Sequence, residues 1–413
     1  MAEPSGVAPT RRQPTPRVRF DRNELAGSFG DIGTDLPLIL AMIPAAGLDG
    51  ASVFVVFGLL QILTGLIYGL PMPMQPLKAM AVLVITQRIT GDVLLGAGMA
   101  IAVIMLALSL SGALSWLARV IPRSAVRGIQ LGLGLSLASL ALRDYVPALG
   151  AGGYALAAAC FVVVIALWDN RSIPAALVVI ALGLVYAGVT AVNWQQVHLA
   201  AGIALPTPRI PSLDAVWTGL IVLALPQLPL SLSNSVIATE RTLHDLFPHR
   251  AIGVRRIGIT YGAANIIASL LGGVPVCHGC GGLAGHYAFG ARTGGSVVIY
   301  GAMYVGLGLL LGESVGAFVA AYPRPVLGVI LLFEAVALMT LVRDMAAERR
   351  EFTIVILVGL IAFGVKQGFV VGLLAGTALW HFWAWRRRAA TTGAAVGLPG
   401  AQRSGRVEGS SLD

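Results

Sequence analysis

The residues of this chain best suited to chemistry are those that could hold a small anion. Pro71-Met-Pro-Met-Gln-Pro-Leu-Lys78 carries Gln75 and Lys78, one of only two lysines in the chain. Gly272-Gly-Val-Pro-Val-Cys-His-Gly-Cys-Gly-Gly282 carries His278 beside Gly279, Gly281 and Gly282. Prolines packed this densely cannot sit inside a helix, because each lacks an N–H and holds the residue before it in extended geometry. Each stretch therefore reads as an extended segment leading into a short helix, over residues 77–88 and 283–289. A helix N-terminus offers free N–H groups and the positive end of the peptide dipole, a ready anion site. The glycines let backbone amides approach a ligand closely. Two such tips facing each other, one with a lysine, point to capture of a small anion.

Carboxylates and hydroxyls supply a second chemistry, proton exchange and hydrogen bonding. Asp31 and Asp35, with Thr34 between them, are i and i+4 and share a face if the segment is helical. A carboxylate at membrane depth costs roughly 2.5–3.5 kcal/mol on insertion scales and is a functional hypothesis by default. The plainer reading of Asp31 is an interfacial group paired with an arginine. Further on, Pro226-Gln-Leu-Pro-Leu-Ser-Leu-Ser-Asn-Ser235 sets Gln227, Ser231, Ser233 and Asn234 in an apolar run, where each polar group must find a partner. Ser233 and Asn234 are the expected site residues there, although serines in such helices also bond back to their own carbonyls. Glu240 lies nearer the end of that run, where pairing with Arg241 is the simple alternative. Cys277-His-Gly-Cys280 suggests metal or redox chemistry, yet structural zinc takes four ligands and no second cluster occurs. His286 and Tyr287 read as packing residues.

These residues need elements to position them, and composition says which. With 57% hydrophobic and 11% charged residues and a mean hydropathy of +0.83, the chain is far more apolar than a soluble domain. It reads as an all-α polytopic membrane protein with about fourteen apolar spans. The two Pro- and Gly-rich stretches fall inside such runs, so they are broken half-helices, tolerated only where protein or a water-filled cavity covers the backbone. The net charge of +9 comes from arginines at the ends of apolar runs. That pattern orients a membrane protein, with both termini on the cytoplasmic side, and gives no reason to expect a nucleic-acid partner. Three cysteines make no disulfide framework.

Organisation follows from a repeat. Ile121-Pro-Arg-Ser-Ala-Val with Leu142-Arg-Asp144 matches Tyr322-Pro-Arg-Pro-Val-Leu with Val342-Arg-Asp344, and Thr90-Gly91 matches Thr293-Gly294. Two copies of seven spans must insert in opposite senses, an inverted repeat, and broken helices in corresponding places mark a transporter's binding site. The expected units are a disordered tail over 1–23, a first repeat over 24–192, a connection over 193–214, a second repeat over 215–386 and a disordered tail over 387–413.

Phe29-Gly-Asp-Ile-Gly-Thr-Asp-Leu-Pro37, Pro71-Met-Pro-Met-Gln-Pro-Leu-Lys-Ala79 and Val274 to Tyr287 with Phe289-Gly-Ala-Arg-Thr-Gly294 resemble the molybdate transporter family, related to the sulfate permeases. The resemblance covers nearly the whole chain. It implies a substrate-carrying core of spans 1–4 and 8–11, a gate or scaffold made of the rest, substrate between spans 1, 3, 8 and 10, elevator-like movement and a homodimer. Sulfate permeases end in a soluble regulatory domain, which the short tail after Arg388 argues against here. Where they and the nucleobase transporters often carry a glutamate in span 8, this chain has Ser233-Asn234.

The resulting expectation is a non-enzymatic secondary transporter of the cell membrane, without cofactor, importing a tetrahedral oxyanion, molybdate before sulfate. Thr34, Gln75, Lys78, Ser233, Asn234, His278, Gly279, Gly281 and Gly282 are assigned to the substrate. Asp35, then Asp31 and Glu240, are assigned to proton coupling. The rival of another class is a membrane metalloenzyme using Cys277, His278 and Cys280.

Overall fold

The computed structural model describes residues 18–114, 116, 120–168, 175–190, 204–250, 252–311 and 314–396. Most of the two expected tails, and residues 193–203 of the expected connection, lie outside them. Order begins before the boundary at 23: the Asp21 carboxylate accepts from the N–H groups of Asn23 and Glu24 and starts α1, Arg22–Gly27. At the other end, the last helix passes residue 387 and runs to Val396.

After α1 come α2 (Ile32–Ala46), α3 (Gly50–Tyr68), β1 (Met74–Pro76), α4 (Lys78–Gln87) and α5 (Gly91–Ser111). Next are α6 (Arg123–Leu140), α7 (Gly150–Ala166) and α8 (Ala175–Thr190). One long run then comprises α9 (Leu213–Gly219), α10 (Leu225–Leu230) and α11 (Thr239–Leu246), joined by π-helical turns Leu220–Ala224 and Ser231–Ala238. The rest is α12 (Val254–Leu270), β2 (Val276–His278), α13 (Cys280–Ala288), α14 (Gly295–Leu311), α15 (Ser314–Ala321), α16 (Arg324–Thr340), α17 (Arg349–Gly364) and α18 (Gly368–Val396).

Among the described residues six helical segments are long and apolar enough to cross a bilayer: Gly50–Tyr68, Gly91–Ser111, Arg123–Ala166, Leu213–Leu246, Arg324–Met345 and Gly368–Arg387. α2, α4 and α8 are apolar but shorter. Leu66, Val103, Val185 and Leu374 stand exposed on these helices, as lipid-facing side chains do.

Two findings amend the all-α expectation. β1 and β2 pair antiparallel, with Gln75 opposite Cys277, so the protein holds a two-stranded sheet inside a helical bundle. The reason is backbone satisfaction: at membrane depth the extended segments before α4 and α13 have no water, and each supplies the other's partners. In addition, the expected first span is not one helix. The chain leaves helical geometry at Ser28–Asp31, and Asp31 occupies the N-cap position of α2, its carbonyl accepting from the N–H groups of Thr34 and Asp35. Gly30 permits this break, because a side chain there would strike the backbone of Gly285.

Packing sorts the helices into two groups. α3 lies along α14, with Gly58 against Gly301 and Gly65 against Gly294, and α5 lies along α12 and α9. Small residues let these backbones close up where no hydrophobic drive exists between helices. In the second group α6 packs on α17, α18 and α16, and α16 packs on α7 and α8. α2 and α4 touch both groups. The site lies at that seam.

Candidate functional site

Two buried amides fix the crossing strands. Gln61 of α3 donates from Nε2 to the Met74 carbonyl at 2.6 Å and accepts the Met74 N–H at 2.8 Å. Asn265 of α12 treats Val276 identically, at 2.6 and 2.8 Å. A side-chain amide carries one donor and one acceptor in the spacing of a backbone unit, so each acts as a short piece of third strand. Leu77 N–H adds a bond to the Pro275 carbonyl at 3.0 Å. With both strands held, α4 and α13 start from fixed points in the interior.

The start of α4 is already capped. Ala79 and Met80 N–H groups donate to Gln227 Oε1 at 2.9 and 3.3 Å. Gln227 Nε2 donates to Ser231 Oγ at 3.1 Å, and Ser231 meets the Tyr261 hydroxyl at 2.8 Å. Gln227 comes from the run α9–α11, whose π-helical turns flank Pro226 and Pro229. Proline removes one i to i−4 bond and crowds the carbonyl four residues back, and a π-turn is one way a helix accommodates it.

At the start of α13 the neighbours are acidic. Gln75 Nε2 donates to both oxygens of Asp31 at 2.8 Å. That carboxylate lies against Gly282, and Gln75 Oε1 lies against Gly279; a methyl group on either glycine would overlap them. Asp31 is buried and held by Gln75, so the interfacial pairing with arginine does not occur. Gly281 is open, with nothing near its α-carbon that a side chain would meet. Asp35 is wholly buried and accepts from the Tyr300 hydroxyl at 3.2 Å, with Tyr304 beyond at 3.1 Å.

Lys78, the first residue of α4, holds its ammonium 2.7 Å from Glu334 Oε1 on α16, and Asp31 and Asp35 are within electrostatic reach of the same ammonium. One cation thus stands among three carboxylates. His278 is fully buried, its Nε2 at 2.9 Å from Thr260 Oγ1, and its carbonyl accepts from Thr239. His286 meets Ser296 at 3.1 Å.

Other expected residues open onto a cavity, and one of them stays tied to this cluster: the Thr239 hydroxyl lies 3.0 Å from the Asn234 carbonyl and 3.2 Å from the His278 carbonyl. Ser233 and Asn234 line a cavity of about 480 Å³ with Arg123, Arg127 and Arg241. The Ser233 hydroxyl also donates back to the Pro229 carbonyl at 2.8 Å. Arg127 and Arg123 reach Asp344 at 2.6 and 3.0 Å, which joins the Arg-Asp motif of one sequence copy to the start of the other. Thr34 is half-buried on α2, and Glu240 sits on α11 in no ion pair among the described residues. Cys277 and Cys280 are free thiols, and among the described residues no three His, Cys, Asp or Glu side chains converge as metal ligands.

Sequence reasoning missed Glu334, Gln61, Asn265 and Tyr300. Three of them carried a signal: Glu334, Gln61 and Asn265 are solitary polar residues within otherwise apolar helical turns, and such residues require partners.

The fold is one that solved membrane-protein structures share. The solved structure of SLC26A9 superposes with a TM-score of 0.66 at 14% identity, over 87% of this chain and 65% of that one. The transmembrane domain of a cyanobacterium bicarbonate transporter, BicA, superposes at 0.59 and 17% identity, over 88% of this chain and 98% of that one. A family model described as "Molybdate transporter of MFS superfamily" matches residues 23–137 and 219–338. Molybdate transporter 1 of Arabidopsis thaliana is 31% identical, over 86% of this chain and 88% of its own length; molybdate transporter 2 of the same plant is 32% identical, over 81% and 82%. The chain belongs to the molybdate transporter family and is a transporter, not an enzyme.

Proposed function

We propose that this protein imports a tetrahedral oxyanion, molybdate, through the plasma membrane in symport with protons. The molybdate reading rests on the relatives' names and on Lys78, Gln75 and the close glycines at the start of α13, drawn together at one seam. The proton reading rests on one observation: among the described residues Lys78 is the cation that acts on Asp31 and Asp35 and pairs with Glu334. With all three acids ionised the cluster already carries excess negative charge. A dianion entering it meets strong repulsion unless protons arrive with it. Bringing a dianion in against about 100 mV, inside negative, also costs roughly 4.6 kcal/mol. Asp35, sealed from solvent and bonded to Tyr300, is the first carrier in this scheme, and Asp31, opposite the tip of α13, is the second.

The architecture we assign to this function is fourteen spans in two inverted repeats of seven, both termini cytoplasmic, working as a homodimer. Arg123, Arg127, Arg241, Ser233 and Asn234 then form the vestibule through which the anion enters or leaves. The deciding experiment is uptake of labelled molybdate into proteoliposomes with an imposed proton gradient. Accumulation should follow the gradient, collapse with a protonophore and resist excess sulfate. Uptake that ignores the gradient ends the symport reading, and full competition by sulfate replaces molybdate as the preferred substrate.

A further inference from the structure

We propose that Glu334 is the transport site's built-in counter-anion: an incoming oxyanion displaces it from Lys78, and that exchange carries site occupancy from one helix group to the other. The inference rests on the anion-transport reading above. Glu334 is the only ionisable residue of α16 beyond Arg324 at its start, and its side chain is 14% exposed against 33% for Lys78. A carboxylate in the middle of an apolar helix is expensive unless paired, and here the pair is a direct contact of 2.7 Å. α4 and α16 themselves have little backbone packing, so the two side chains reach across the seam and form the chief link between them. α4 is continuous with the strand pair, whereas α16 belongs to the group of α6, α7 and α8.

A purely structural role would need only neutralisation of Lys78. The surroundings ask for more. Asp31 and Asp35 are near the same ammonium, so removing Glu334 does not leave Lys78 without negative neighbours. Among the described residues Lys78 is the one cation of α4 in an ion pair, and the Ala79 and Met80 amides at the start of that helix are taken by Gln227. A doubly charged oxyanion arriving there competes with Glu334 for one charge and is repelled by it at contact range. Stable simultaneous occupancy is therefore disfavoured, and the carboxylate must swing away or be neutralised. When it leaves, α16 loses its tie to the helix that carries the substrate.

The test is calorimetric titration of the purified full chain with molybdate and, separately, sulfate, for wild type, E334Q, E334D and the swap K78E/E334K. E334Q should bind oxyanion at least tenfold more tightly than wild type, and E334D, one methylene short of the 2.7 Å contact, several-fold more tightly. Both should turn over more slowly in proteoliposomes. The swap should regain thermal stability relative to K78E alone and bind no oxyanion. Equal or weaker binding by both E334Q and E334D overturns the proposal. If wild type ignores molybdate but binds sulfate, the molybdate reading falls, and the variant-to-wild-type ratio with sulfate judges Glu334. Binding of neither anion by any variant overturns both.

Discussion

Asn265→Leu is the perturbation whose size the structure sets most directly. Asn265 gives the Val276 carbonyl a donor at 2.6 Å and the Val276 N–H an acceptor at 2.8 Å, and it anchors itself on the Tyr261 carbonyl at 2.8 Å. Leucine has the same number and branching of side-chain heavy atoms and is the bulkier residue, so no cavity opens. What it leaves is one N–H and one C=O on a strand residue that is wholly buried. An unsatisfied buried backbone group costs about 1–3 kcal/mol, so the substitution should destabilise the fold by ~2–6 kcal/mol. Gln61→Leu strips Met74 in the same way and should cost a similar amount. Met74 and Val276 lie two residues apart in register on the paired strands, so the double variant should depart from additivity by about 0.5–3 kcal/mol. Equilibrium unfolding in mixed micelles measures the stabilities, and uptake in proteoliposomes measures the consequence. Since both amides set where α4 and α13 begin, KM for the anion should rise several-fold in either single variant. Wild-type stability together with wild-type KM in Asn265→Leu would falsify the idea that these amides position the half-helices.

Other consequences follow from the same geometry. Gly282→Ala pushes a methyl group into the Asp31 carboxylate and the Pro73 ring, so α13 must back away and initial-rate uptake should drop at least tenfold; normal rates would show that the tip of α13 is not part of the path. Lys78→Ala should abolish oxyanion binding in calorimetry, and unchanged affinity removes Lys78 from the site. Asp35→Asn should uncouple uptake from the proton gradient while leaving molybdate counterflow measurable, whereas retained pH-driven accumulation clears Asp35 of that role. Arg127→Ala breaks a partly exposed pair with Asp344, so stability should shift by less than about 1 kcal/mol. Its effect on uptake should be larger at low than at high ionic strength, because salt screens steering by the arginine-lined cavity.

The order of polar and apolar residues carries much of this protein by itself. Apolar runs declare a membrane solvent, and prolines and glycines declare where helices must break, because both are consequences of local covalent geometry and of backbone groups that lipid cannot satisfy. The short helices after Pro71–Leu77 and Gly272–Gly279 were readable for that reason, as was the suspicion that Lys78 is no surface decoration. Local geometry is silent, however, about what stands opposite. That the amides opening α4 cap on Gln227, that the Asp31 carboxylate lies against Gly282, and that Ser233 and Asn234 line an arginine-lined cavity all depend on helices far away in the chain. The clearest case is Glu334, 256 residues from its partner. Its position in an apolar helix advertised a need for a counter-charge, but a charge interacts through space and not along the sequence. Only the packing of α16 across the seam from α4 decided that the partner would be Lys78.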